Sequence, residues 1–200
     1  LGAFIDLYIF AAAKYAVNYR LGEEFNGYFS IIFIPTSIIN LMANFIIRPT
    51  LTRLSILYDK NNIKEFVKLV IKIMIGIILL TALAVVAGYF LGMPILSIVL
   101  GYDIKEMLKL RFAFIILLIG GGFYAILNLL YYVLVIFEKR REIFITYIIS
   151  SIIAFLLSDR VTLKFGINGA AILYALLMCL TALMFGMFCI VAILKKNKKV

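Results

Sequence analysis

Histidine is absent from this 200-residue sequence, so the commonest metal ligand and the usual acid–base group at neutral pH are both missing. Only two cysteines are present. Cys179 and Cys189 lie ten residues apart in one apolar run, a placement that favours neither a disulfide nor a zinc site. The sequence therefore predicts no metal centre.

Acidic residues are also scarce, and Glu23 with Glu24 is the only adjacent acidic pair. The sequence contains no Gly-rich phosphate loop, no paired carboxylates and no nucleophile with a base at a recognisable spacing. These absences argue against an enzyme. An integral-membrane glycosyltransferase is the strongest enzymatic alternative, but such an enzyme usually needs a carboxylate cluster at the membrane face.

Apolar residues, by contrast, are abundant. They make up 66% of the chain, and the mean hydropathy is +1.14, values that exclude an ordinary soluble domain. The net charge of +10 does not indicate a nucleic-acid partner, because the Lys and Arg residues stand at the ends of hydrophobic runs. The lipid bilayer is the partner that this composition predicts.

The apolar runs predict an all-α polytopic membrane protein with six transmembrane helices. We expect them at about 1–17, 28–47, 69–91, 104–137, 143–158 and 170–194, followed by a basic tail at 195–200. Gly22 and Gly27 are expected to break the chain after the first helix, and the second to end at Arg48 and Pro49. Polar stretches then separate the second helix from the third and the fifth from the sixth. Asp103 and Glu106 have the spacing of a capping box at the start of the fourth helix.

The basic residues also predict the orientation of these helices. Thirteen of the 20 lie on the side of the second-to-third connection, the EKRRE turn and the tail, which leaves seven on the opposite side. Positive charge is retained in the cytoplasm, so both ends of the six-helix unit are expected there.

The second helix carries a polar face inside an uncharged run. Ser30, Ser37, Asn40, Asn44 and Arg48 fall within roughly 80° of one another at helical spacing, and such groups are costly against lipid tails. A mid-helix kink is expected at Pro35, since it lacks one backbone N–H. The face either lines a solvated cavity or holds neighbouring helices together by hydrogen bonds.

Two further groups are candidates for the same cavity. Asp6 and Lys14 are charges within the first helix, although their eight-residue offset disfavours a direct ion pair. The alternative for Lys14 is a headgroup anchor. Tyr124, Asn128 and Tyr131 share one face of the fourth helix, where aromatic rings and an amide suit a sugar or simply pack. The preceding Gly120–Gly122 run permits either close helix approach or a hinge.

The order of several short motifs resembles that of the bacterial oligosaccharide and polysaccharide flippases. The motifs are KYAVNY, GYFSIIFIP, INL, RPTLTRL, LGMPILSIVLGYD, GGGFYAILN and KFGINGAAILYAL, and they run from about Lys14 to Met178. These flippases belong to the multidrug, oligosaccharidyl-lipid and polysaccharide exporter superfamily. The resemblance implies one lobe, most similar to the C-terminal one, of a twelve-helix MATE-like transporter whose N-terminal lobe lies outside this sequence.

The function that this resemblance implies is the flipping of a lipid-linked, pyrophosphate-bearing oligosaccharide across the bacterial cytoplasmic membrane. Its predicted substrate-binding residues are Lys14, Asp6, Asn40, Asn44, Arg48, Tyr124, Asn128 and Tyr131. No cofactor is implied beyond a coupling ion, H⁺ or Na⁺. The alternatives are a multidrug exporter of the same superfamily and a non-transporting scaffold for envelope synthesis.

Overall fold

A computed structural model describes residues 2–101 and 103–197, and within these ranges every regular element is helical. Residue 1 of the first predicted segment and residues 198–200 of the predicted tail lie outside the described residues. The elements are α1 (Gly2–Leu21), α2 (Glu23–Asp59), α3 (Ile63–Ala87), a π-helical turn (Gly88–Gly92), α4 (Met93–Leu100), α5 (Ile104–Lys109), α6 (Arg111–Ile136) and α7 (Arg140–Asn197).

Among the described residues, four helical segments are long and apolar enough to cross a membrane, namely Glu23–Asp59, Ile63–Val99, Arg111–Ile136 and Arg140–Lys196. Large apolar side chains also cover much of the surface. Phe90 and Ile98, for example, are 68% and 82% exposed. Lipid is the solvent that such a surface requires. The chain is therefore an all-α membrane protein.

Three of the predicted connections are much shorter than expected. The first is the single residue Gly22, whose φ of 95° suits glycine, while Gly27 lies inside α2. The second comprises only residues 60–62, because α2 continues through Pro49 as far as Asp59. The boundary expected at Arg48 and Pro49 was therefore wrong. The tail also begins later than expected, since Lys195 and Lys196 belong to α7.

The third predicted connection, between the fifth and sixth segments, is one non-helical glycine. Gly166 has φ 59° and ψ −143°, and it divides α7 into a first part (140–165) and a second part (167–197). The two parts pack against each other. The Ser150 and Thr181 hydroxyls, one from each part, lie 2.8 Å apart in the interior. The loop expected at 160–169 was therefore wrong.

The segment after α3 keeps its helical course. A π-helical turn joins α3 to α4, and α4 ends at Gly101 in the left-handed conformation. Asp103 caps α5, its side chain accepting from the Lys105 backbone N–H at 2.9 Å. The predicted reciprocal partner, Glu106, instead accepts a hydrogen bond from the Tyr28 hydroxyl at 3.0 Å.

Helix α6 packs against α2, α3 and α7, and three consecutive glycines allow these helices to come close to it. Gly120, Gly121 and Gly122 are buried and pack against Tyr174 of α7, Thr36 of α2 and Thr81 of α3, respectively. The Thr36 hydroxyl also donates to the Leu117 carbonyl at 3.2 Å. The glycine run therefore provides close approach to three neighbouring helices.

Candidate functional site

Polar side chains of α2 and α6 meet between these helices. The Asn128 amide donates to the Asn40 side-chain carbonyl at 2.8 Å. One turn further along α2, the Asn44 amide donates to the Asn40 backbone carbonyl at 2.9 Å. All three amides are half-buried. Their positions follow from helical spacing, since Asn40 and Asn44 are four residues apart on one face.

The same polar network continues to α1 and α7. The Tyr124 hydroxyl, one turn from Asn128, donates to the Asp6 carboxylate at 3.3 Å, and it also interacts with the Asn128 amide. The Tyr147 phenol of α7 also lies close to the Asp6 carboxylate. Among the described residues, Asp6 has no ion-pair partner. Five of the eight predicted residues thus belong to one network, in which Asp6 is a carboxylate held by phenols.

Aromatic rings pack beside this network. Tyr174 is fully buried, with Phe10 and Phe33 edge-on at centroid distances of 5.8 and 5.0 Å. Phe10 also packs against Tyr124 at 4.7 Å. The buried Tyr174 hydroxyl has no hydrogen-bond partner among the described residues. Sequence reasoning missed Tyr147 and Tyr174, because a tyrosine in an apolar helix has no spacing signal that separates it from ordinary packing.

Lys14 lies apart from the network, in a groove between α1 and α2. The groove has a volume of about 590 Å³, and Lys14 shares its walls with Ser30 and Ser37. Its other lining residues are apolar or aromatic and include Phe10 and Phe33. The predicted polar face of α2 is therefore divided. Its serines line this groove with a cation, while its asparagines join the network.

The remaining two predicted residues join neither feature. Arg48 is exposed and forms no hydrogen bond or ion pair with any described residue. Tyr131 is half-buried and packs against Tyr132 at a centroid distance of 5.6 Å.

This arrangement combines a cation, hydroxyls, amides and aromatic rings, all of which bind ligands without a covalent step. Lys14 attracts anions, the amides and hydroxyls exchange hydrogen bonds, and the rings offer apolar faces. A search of protein-family models, curated proteins and solved structures yields no match to this chain. The case for a function therefore rests on these residues.

Proposed function

We propose that this chain is one six-helix lobe of a transporter that flips a lipid-linked oligosaccharide across the bacterial cytoplasmic membrane. The six spans are α1, α2, α3 with α4, α5 with α6, and the two parts of α7, with both ends of the unit in the cytoplasm. The second wall of the passage comes from another six-helix lobe of the same protein, in keeping with the resemblance drawn from the sequence motifs.

The observation that carries this proposal is the α1–α2 groove with Lys14 in its wall. A groove lined by one cation, two serine hydroxyls and aromatic rings complements a phosphate joined to a sugar. In a partly desolvated groove the effective dielectric is lower than in bulk water, so the attraction between Lys14 and phosphate is stronger there. The Asn40–Asn128 amides form a second polar surface, apart from this groove.

One observation favours a second candidate, a cation-coupled multidrug exporter of the same superfamily. Asp6 accepts a hydrogen bond from Tyr124, lies close to Tyr147, and pairs with no cation among the described residues. A membrane-embedded carboxylate of this kind is suited to binding a coupling cation or a cationic substrate. The two candidates differ in the sign of the charge that the substrate carries.

Charge reversal at Lys14 separates these candidates. In the full-length transporter, Lys14→Glu should abolish surface polysaccharide export, since it replaces attraction for phosphate with repulsion. Lys14→Arg should retain most export, because a cation of either shape suffices. The measurement is complementation of a flippase-deficient strain, with immunoblots of membrane fractions to show normal insertion.

Arg48 provides the control, because it is an exposed cation at the far end of the polar face of α2 and has no ion pair with any described residue. Arg48→Gln should therefore export normally. Full export by a normally inserted Lys14→Glu variant would contradict the proposal and leave Lys14 as a headgroup anchor.

A further inference from the structure

The apolar stretch that continues from α3 into α4 is longer than the core of a bilayer. No charged residue lies between Lys72 and Asp103, and residues 73–99 of this stretch follow one helical course. These residues rise about 40 Å along the helix axis, whereas the hydrocarbon core is only ~30 Å thick. Roughly 10 Å of apolar helix therefore extends beyond the core.

A charge on the neighbouring helix shows which end of the stretch projects. Helix α6 begins at Arg111, and Phe114, one turn later, packs against Gly88 and Gly92 of the π-helical turn. The Arg111 guanidinium lies 5.2 Å from the ring centroid of Tyr89 in the same turn. A guanidinium at a helix end stays close to the edge of the hydrocarbon core. Helix α4, which follows the π-helical turn, therefore starts near that edge and is the part that projects.

The projecting part is apolar and uncovered. Ile95, Ile98 and Val99 of α4 are 52%, 82% and 72% exposed. Helix α4 packs against α5, where Ile104 and Leu108 are exposed as well, and we call these five side chains the apolar tip. If α4 stood upright, its 8 residues would rise about 12 Å, through a polar layer of about 5–7 Å and into water. Because water is a poor solvent for such a tip, α4 and α5 are expected to lie along the membrane surface.

The side chains of α5 fit that position. Ile104 and Leu108 share one exposed face, and Lys105 and Lys109 share the adjacent one, because residues four apart lie on the same side of a helix. Met107 is fully buried. Neither lysine forms an ion pair with any described residue. An apolar stripe beside a basic stripe is typical of segments that lie between the acyl chains and the anionic headgroups of a bilayer.

We propose that α4 and α5 form an interfacial anchor. The apolar tip inserts among the upper acyl chains of one leaflet, and Lys105 and Lys109 contact the anionic headgroups of that leaflet. The anchor fixes the depth at which α3 and α6 lie in the membrane, because the π-helical turn joins it to α3 and Arg111 begins α6 beside it. This inference does not depend on what the lobe transports, so it and the Lys14 export test can fail separately.

Tryptophan quenching measures the depth of the apolar tip, because this sequence contains no tryptophan. Ile98→Trp places the fluorophore on the tip. The matched control is Leu83→Trp, at a side chain that is 68% exposed near the middle of the apolar stretch. The full-length protein, with any tryptophan outside this sequence replaced by Phe, is reconstituted in phosphatidylcholine–phosphatidylglycerol vesicles that contain brominated lipids. Bromines near the headgroups should quench Ile98→Trp more strongly than bromines near the chain ends, and Leu83→Trp should show the reverse order.

Three results would overturn the proposal. Strong quenching of Ile98→Trp by aqueous iodide, with little quenching by either brominated lipid, would place the tip in water. Stronger quenching of Ile98→Trp by the deep bromines, as expected for Leu83→Trp, would place α4 in the hydrocarbon core. Protection of Ile98→Trp from all three quenchers would mean that protein covers the tip.

The headgroup contact is tested in the Ile104→Trp protein. Its emission should shift further to the blue in vesicles with phosphatidylglycerol than in phosphatidylcholine alone, since anionic headgroups attract Lys105 and Lys109. Lys105→Gln combined with Lys109→Gln should remove this difference. Lys64→Gln combined with Lys72→Gln removes two exposed lysines near the start of α3 and should leave the difference intact. A difference that survives the loss of Lys105 and Lys109 would contradict the headgroup contact.

Discussion

At the scale of single residues, Gly122 controls how closely α3 approaches α6. A Cβ added to Gly122 would overlap both the methyl and the hydroxyl of Thr81. Overpacking in a close-packed interior usually costs about 1–3 kcal/mol. The Thr81 hydroxyl already donates to the Ile77 carbonyl at 2.8 Å, so the side chain cannot turn away without losing a hydrogen bond.

Gly122→Ala should therefore lower the thermal midpoint of the protein in detergent, measured by size-exclusion chromatography after heating. Adding Thr81→Ala should recover part of the loss, because it removes the two closest atoms. The matched control is Gly76→Ala on α3, where an added Cβ would have nothing within 4 Å and should not destabilise the protein. If Thr81→Ala gave no recovery, the α3–α6 contact would not be the cause.

Residue faces within one helix were predictable, and contacts between helices were not. Asn40 with Asn44, and Tyr124 with Asn128, belong to one network because offsets of four place each pair on one face. Lys14 is eight residues from Asp6 on α1, about 12 Å along the axis and about 80° around it, so it faces a separate groove. Tyr147 joins Asp6 through tertiary packing alone, and spacing along one chain carries no information about that.

At the scale of the helix, polarity was a poor guide to where helices end. The stretch 49–66 is polar enough to suggest a loop, yet all but residues 60–62 are helical. Polar side chains stay solvated on the surface of a helix, so polarity alone does not interrupt the backbone hydrogen bonds that every residue must satisfy. The actual breaks occur at backbone features, such as the positive φ of Gly22, Asn61, Glu138 and Gly166. Of these four residues, only the two glycines could be recognised from the sequence as helix breakers. Gly27 is also a glycine, yet it lies inside α2.

The fold-back of α7 at Gly166 has a direct chemical test. In a background with Cys179 and Cys189 replaced by Ala, the pair Ser150→Cys and Thr181→Cys should form a disulfide on mild oxidation, since the native hydroxyls are 2.8 Å apart. Mobility on non-reducing gels after cleavage between the two positions reports the bond.

The neighbouring pair Ser151→Cys and Thr181→Cys is the control. Ser151 lines a surface cavity together with Phe4 and Tyr8 of α1, so its side chain points away from Thr181 and should not cross-link. Cross-linking of both pairs to the same extent would indicate that the two parts of α7 do not pack in this register.

At the scale of the whole molecule, contacts between segments that are distant in the sequence stabilise each end of the helical bundle. At one end, the Lys196 ammonium lies 3.2 Å from the Tyr58 ring centroid, and Tyr58 packs edge-on against Phe137 at 4.9 Å. These contacts join the α2–α3 turn, the α6–α7 turn and the end of α7. At the opposite end, Arg20 pairs with Asp159. The basic turns thus gather at one end, which is the asymmetry that sets membrane orientation.

Thiol accessibility in intact cells tests that orientation. In the background without native cysteines, Lys60→Cys lies in the exposed α2–α3 turn and Arg140→Cys at the exposed start of α7, both at the basic end, and Glu24→Cys lies at the exposed start of α2. A membrane-permeant reagent should block all three thiols. An impermeant reagent should block Glu24→Cys alone, because the basic end faces the cytoplasm. Permeabilised cells, in which all three must react, control for accessibility. Labelling of Lys60→Cys by the impermeant reagent in intact cells would contradict the proposed orientation and place the basic end outside.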